Sequence, residues 1–200
     1  MKYTAALALA STAFAATECT SAPASSSTAA PLPGAPSYFG VISARSASPI
    51  HLQSLTARGT KFYLGGGAPS SYCPVQQVGD ACPPGNTTVL AGGDKTLSLG
   101  VIVPGGQQVY VAPDGALSYT IAHSAAIPSG SIQDEFSKEA PSNGNSFGYL
   151  NFPTGWVACP AAEGSGYQVF AQIESATFGP DCLGFSMLTS AVDQPGAWQY

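Results

Sequence analysis

Residues 101–124 read VIVPGGQQVYVAPDGALSYTIAHS, and this stretch constrains the fold more than any other. Two short runs flank Pro113-Asp114-Gly115. Val109 and Val111 fall on one side of the first run, and Leu117, Tyr119 and Ile121 on one side of the second. Alternation at a period of two gives each run one buried and one wetted face, which is the geometry of a strand. Pro pre-sets φ, Asp bonds its own backbone and Gly accepts positive φ, so the three residues close a short hairpin. Pro104-Gly105-Gly106 marks a second turn just upstream. Antiparallel strands are therefore the expected building unit.

The same texture extends along the chain. Residues 38–42 predict a first strand, and Ile50-His51-Leu52 opens another. Arg58-Gly59-Thr60 turns the chain into a strand over 61–64. A strand over 87–90, a turn at Gly92-Gly93-Asp94 and an alternating run over 96–103 follow. Residues 127–154 are turn-rich, and strands resume over 155–158, 167–173 and 183–188. No segment sustains a helical period. Short strands separated by Gly and Pro turns predict an all-β domain, a single compact antiparallel β-sandwich or barrel. Hairpin-like stretches begin near His51, Gln108 and Gln168 at nearly even separation, so a β-trefoil-like arrangement is the alternative.

Residues 1–16 read as a secretory signal peptide. Lys2 supplies the positive charge, residues 5–10 a short apolar core, and Ala13-Phe14-Ala15 a small-residue cleavage site. That core is too short to span a bilayer. Residues 17–36 are Ser, Thr, Ala and Pro with the single charge Glu18, a composition that suits an O-glycosylated linker. The β domain is expected over 37–200. Only 8% of residues are charged, against about 25% in ordinary globular chains, and the net charge is −5. That balance disfavours a nucleic-acid partner or an anionic membrane surface. With no apolar tail after Trp198-Gln199-Tyr200, a lipid anchor at the C-terminus is not expected either.

The five cysteines are Cys19, Cys73, Cys82, Cys159 and Cys182. In an oxidising compartment cysteines pair. The economical pairing is Cys73–Cys82 and Cys159–Cys182, although the four residues allow three connectivities. Cys19 is left over in the linker, unpaired or available for an intermolecular disulfide. Neither histidine lies at ligand spacing from a cysteine, so no metal site and no cofactor are expected. Asn86-Thr87-Thr88 is the only N-glycosylation sequon, and Pro83-Pro84-Gly85 places it on a loop.

The search for catalytic chemistry finds little. Gly144-Asn145-Ser146-Phe147-Gly148 matches the G-x-S-x-G nucleophile elbow, a motif that exposes its serine on a strand-to-helix turn. Here loop-like residues precede it, no helix follows, and His51 and His123 both come before the serine. Asp134, Glu135, Glu139, Asp181 and Asp193 show no spacing that sets two carboxylates across a sugar. The cluster Asp134-Glu135 and Lys138-Glu139 reads as a solvated loop. Gly65-Gly66-Gly67 lacks the Lys and Ser/Thr of a phosphate loop. His123 reads as a hydrogen-bonding residue at a strand end. Tyr110, Tyr119, Tyr149, Phe152, Trp156, Tyr167 and Trp198 offer faces for stacking on sugar rings, against the plainer reading that most of them are core. No catalytic residue is assigned.

Several strings are specific enough to carry a resemblance. Residues 45–51 (RSASPIH), Tyr72-Cys73-Pro74, residues 82–86 (CPPGN) and, above all, residues 104–124 resemble the fungal phialide-associated cell-wall protein family, PhiA. So do Trp156-Val157-Ala158-Cys159-Pro160, residues 167–171 and residues 181–185. The likeness runs over about residues 39–200. It implies a secreted fungal wall protein needed for phialide and conidium formation, with relatives that bind IgE as allergens. Wall polysaccharide or other wall proteins are the expected partners, and the resemblance brings no catalytic residue with it. A carbohydrate-binding, lectin-like module is the alternative function, and a secreted hydrolase the least favoured.

Overall fold

The computed structural model describes residues 37–200. The expected signal peptide over 1–16, the linker over 17–36 and Cys19 lie outside the described residues. Eleven strands form a single antiparallel ladder: β1 (Tyr38–Ala44), β2 (Leu55–Arg58), β3 (Lys61–Leu64), β4 (Leu90–Leu99), β5 (Gln108–Val111), β6 (Leu117–Tyr119), β7 (Phe136–Glu139), β8 (Gly148–Asn151), β9 (Trp156–Pro160), β10 (Tyr167–Ala171) and β11 (Leu183–Val192). Among the described residues the only helical structure is one α-turn, α1 (Val75–Val78), and one 3-10 turn, Gly79–Ala81.

The ladder closes on itself. Following hydrogen-bonded neighbours, β1 pairs β11, β11 pairs β9, and the chain of pairings runs through β10, β3, β6, β5 and β4 back to β1. A second route joins β4 to β11 through β7 and β8. The two ten-residue strands make this possible, because each changes partner along its length. One edge of β11 passes from β9 at Leu183–Phe185 to β8 at Met187–Thr189. The strand β4 passes from β1 at Leu90 and Ala91 to β7 at Asp94 and Lys95, then to β5 at Leu97 and Ser98. The expected all-β, antiparallel, barrel-like architecture is what the chain adopts. Gln168 starts no new hairpin; it lies on the return strand of β9–β10 and also reaches β3.

Several local readings change, among them the charged cluster, whose Lys138 and Glu139 lie on β7 between β4 and β8 and not in a loop. Gly92-Gly93-Asp94 is not a turn between strands but the middle of β4, with Gly92 and Gly93 at φ of 95° and 93°. Such residues kink a strand without ending it, and here the kink coincides with the exchange of partners. Ile50-His51-Leu52 forms a turn rather than a strand start, with Leu52 at φ 58°. The hairpin at residues 108–119 is closed by Pro113-Asp114-Gly115 as expected: the Gly115 N–H donates to Ala112 O at 2.8 Å, and the Ala116 N–H to Asp114 Oδ1 at 3.1 Å. Both of its faces, however, are buried. Val109, Val111, Leu117 and Tyr119 face the main core. Tyr110, Ala112 and Ala116 form a second cluster with Ile127 and Phe170. The turn-rich segment after β6 supplies the cover, held to β5 by reciprocal backbone bonds between Val111 and Ile132. Ile121 lies beyond β6 and is exposed.

The core is sealed by aromatic contacts. Phe136, Phe152 and Trp156 lie 5.5–6.4 Å apart between ring centroids. The Trp156 indole N–H donates to Leu150 O at 2.8 Å, so the ring is buried without an orphaned donor. Disulfides join Cys73 to Cys82 and Cys159 to Cys182. The second ties β9 to the residue before β11, at one of the seams through which the ladder closes. The double substitution Cys159→Ser with Cys182→Ser is therefore expected to lower stability by about 2–4 kcal/mol. Urea titration of the oxidised and substituted proteins measures it.

Candidate functional site

The sequon loop is braced by several hydrogen bonds, and it separates two grooves. Its backbone is held from four directions. The Gly85 N–H donates to Gly196 O at 2.9 Å, and the Ser71 hydroxyl to Gly85 O at 2.6 Å. The Tyr200 hydroxyl donates to Thr87 O and accepts from the Val89 N–H. The Gly100 N–H donates to Val89 O at 2.7 Å. Thr88 is buried, and its Oγ1 accepts from the Ala57 N–H at 2.8 Å. Asn86 and Thr87 are left with their side chains exposed and without a side-chain bond to the protein among the described residues.

Tyr200 anchors this arrangement. Its N–H donates to Gln107 Oε1 at 2.7 Å, and its carbonyl accepts from Gln107 Nε2 at 2.8 Å. The same amide also donates to Thr120 O, so the fully buried Gln107 is satisfied on both its atoms. Burial pushes the Tyr200 phenol up to about 12, against the opposing pull of its Val89 hydrogen bond. The residues before it run beside residues 100–103, where Ile102 and Val103 donate to Ala197 O and Trp198 O.

The larger groove, about 370 Å³, lies between β1, β2, the Gly67–Pro69 bend, the sequon loop and the end of β11. Its floor is a gap in the ladder. On the edge away from β11, Tyr38 and Phe39 pair with β4, and Ile42 bridges to Ser54. Ser43 exchanges bonds with Gln53 O and the Leu52 N–H on that side. Backbone groups alternate with period two along a strand, so Val41 directs its N–H and C=O toward the groove. The antiparallel bridge of Ile42 to Ser54 pairs the Ser43 N–H with Gln53 O and the Leu55 N–H with the Val41 C=O, which leaves the Val41 N–H without a strand partner on that side among the described residues. The lining is otherwise small apolar groups and hydroxyls, those of Ser54, Thr56, Thr87, Thr88 and Ser190, with no ionisable side chain.

The smaller groove, about 260 Å³, is walled by Tyr72, Val75, the Cys73–Cys82 disulfide, Pro83, Pro84 and Trp198. Tyr72 is 59% exposed, and its backbone pairs with Gln199 through two bonds of 3.0 and 3.3 Å. This groove too lacks an ionisable carboxylate, amine or imidazole.

The remaining candidates are dispersed. Of the seven aromatics offered for stacking, Tyr110, Tyr119, Phe152 and Trp156 are buried, Tyr149 is exposed, and Tyr167 and Trp198 are half-buried. Tyr72 was not among them; it sits in a Cys-bearing loop without alternation, and only the fold brings it beside Trp198. Asp134, Glu135, Glu139, Asp181 and Asp193 are all exposed, and none lines either groove. Ser146 is exposed on the loop between β7 and β8, so the elbow-like motif is followed by a strand and not a helix. His51 Nδ1 accepts from the Arg45 N–H at 3.3 Å, and His123 occupies a turn at φ 61°. Among the described residues no three His, Cys, Asp or Glu side chains gather as metal ligands would.

Fold and site together define a disulfide-tied, closed β domain that presents neutral grooves around a braced sequon. The profile of the PhiA-like secreted protein family matches residues 39–200, and the chain belongs to that family. It is 44% identical over 154 residues to an uncharacterized secreted protein of Arthroderma benhamiae, a match covering 73% of this chain and 76% of that protein. No solved structure matches it. The protein is thus a secreted fungal protein of the PhiA-like family.

Proposed function

We propose that the protein is a non-enzymic component of the fungal cell wall, structural or protective, acting during phialide and conidium formation. The observation that carries this reading is the character of the two grooves. Their hydroxyl, backbone and aromatic groups suit contact with neutral polymers, and neither holds an acid, base or nucleophile pair. The closed, disulfide-tied ladder suits long residence outside the cell. Fractionation of sporulating cultures tests it: the protein is expected in the wall fraction, and its deletion is expected to impair conidiation. Recovery wholly in the medium, with normal conidia in the deletant, removes the proposal.

A second reading, lectin-like binding of wall polysaccharide, draws support from Tyr72 and Trp198 flanking one uncharged groove. Aromatic faces bury the apolar faces of sugar rings while hydroxyls stay at the rim. Tyr72→Ala combined with Trp198→Ala is expected to weaken retention on insoluble chitin or β-glucan at least about tenfold, equivalent to about 1.4 kcal/mol. Equal retention of the substituted and unsubstituted proteins in a pull-down ends this reading.

A further inference from the structure

We propose that Asn86 carries an N-linked glycan whose core N-acetylglucosamines lie in the larger groove, over Val41, as a covalently attached part of the fold. Asn86 is the exposed acceptor residue of the only sequon in a secreted chain, and it forms part of the groove wall. The glycan is therefore attached at the groove it is to fill, and its local concentration there is set by a tether of one side chain. The chemistry matches. An acetamido group carries a carbonyl acceptor, the group needed to meet the N–H that Val41 turns into the gap between β4 and Ser54 without a strand partner. Val41 is only 5% exposed, so this N–H has little access to bulk water. The acetyl methyl finds Ala68 and Pro69, and the sugar hydroxyls find those of Ser54, Thr56 and Ser190. No charge in the groove repels or selects against a neutral sugar.

The bracing of the sequon loop acquires a purpose in this arrangement. A glycan on a mobile loop sweeps solvent, whereas one on a loop fixed by Tyr200, Ser71, Gly196 and Thr88 is held at one exit point. The inference is independent of where in the organism the protein acts, and rests only on secretion.

Hydrogen exchange on the protein secreted by a fungal host tests it. Three forms are compared: intact, trimmed with endoglycosidase H to a single N-acetylglucosamine, and stripped with peptide-N-glycosidase F. Intact mass first establishes occupancy of Asn86; an unmodified Asn86 overturns the proposal outright. With the glycan present, the Val41 amide is expected to exchange at least about tenfold more slowly than in the stripped form, while the amides of β9 and β10 stay unchanged. Protection that survives endoglycosidase H assigns the first sugar to the groove, and protection lost at that step assigns the second. The Asn86→Gln protein, which keeps residue 86 uncharged, is expected to match the stripped form. Equal exchange at Val41 in all forms shows a glycan that projects into solvent and overturns the proposal.

Discussion

Truncating Tyr200 to alanine is expected to lower the unfolding free energy by about 3–5 kcal/mol, the range for deleting a large buried aromatic side chain. The ring is 8% exposed within the main core, and its hydroxyl joins Thr87 to Val89. Tyr200→Phe keeps the ring and removes only that link. It leaves the Val89 N–H buried without an acceptor, at an expected cost of about 1–3 kcal/mol. The two substitutions therefore separate packing from hydrogen bonding, with urea or thermal unfolding as the measurement. Tyr200 also sets a limit at high pH. Its phenol is raised to about 12 in the folded protein, against about 10 in an unfolded chain. The neutral form is thus the one the fold favours, and the contribution is complete below pH 10. It is lost as the pH rises from 10 through 12, by roughly 3 kcal/mol in all. Burial raises Tyr119 and Tyr110 in the same direction. Base-induced unfolding is expected to be shallower in Tyr200→Phe than in the unsubstituted protein, and parallel titrations would show the two curves diverging above pH 10.

Gly148→Ala is expected to cost about 2–4 kcal/mol, whereas Ser146→Ala, two residues earlier in the same motif, is expected to stay within about 0.5 kcal/mol. A Cβ at position 148 would overlap the Glu139 carbonyl oxygen and come within 2.8 Å of Thr189 Oγ1. Gly148 opens β8 between β7 and β11, so neither neighbour can retreat without opening the ladder. Ser146 points from an exposed loop. The last glycine of the G-x-S-x-G string is therefore accounted for by strand packing. Comparable losses from the two substitutions would contradict that account.

What was legible in the sequence was local. The Pro113-Asp114-Gly115 hairpin lies within a dozen residues, so turn chemistry and alternation suffice to place it. The same holds for the Arg58-Gly59-Thr60 turn and for the sequon. Pairings of β1 with β11 and of β3 with β10 join residues more than a hundred positions apart, and no period in the chain announces them. Gly92-Gly93 misleads for a related reason: positive φ marks turns and strand kinks alike, and only the exchange of partners distinguishes them. The outer face of the 108–119 hairpin reads as wetted because its cover, residues 127–132, carries Pro, Ser and Gly rather than a strand pattern. The larger groove was illegible altogether, since a gap in a ladder is a property of pairing and not of composition. Asn86 was visible as a sequon, but its neighbour Val41 was not.

Closure of the ladder has a consequence for how this chain behaves at high concentration. Proteins stay dispersed through mutual charge repulsion or through the lack of any surface on which a neighbour can add. With 8% charged residues and a net charge of −5, repulsion is weak here, and salt weakens it further. An open sheet of such composition would offer its edges for strand-by-strand polymerisation. In this protein the main circuit of strands has no end, so connectivity leaves little free strand edge for such growth, the gap beside Val41 and the outer side of β2 excepted.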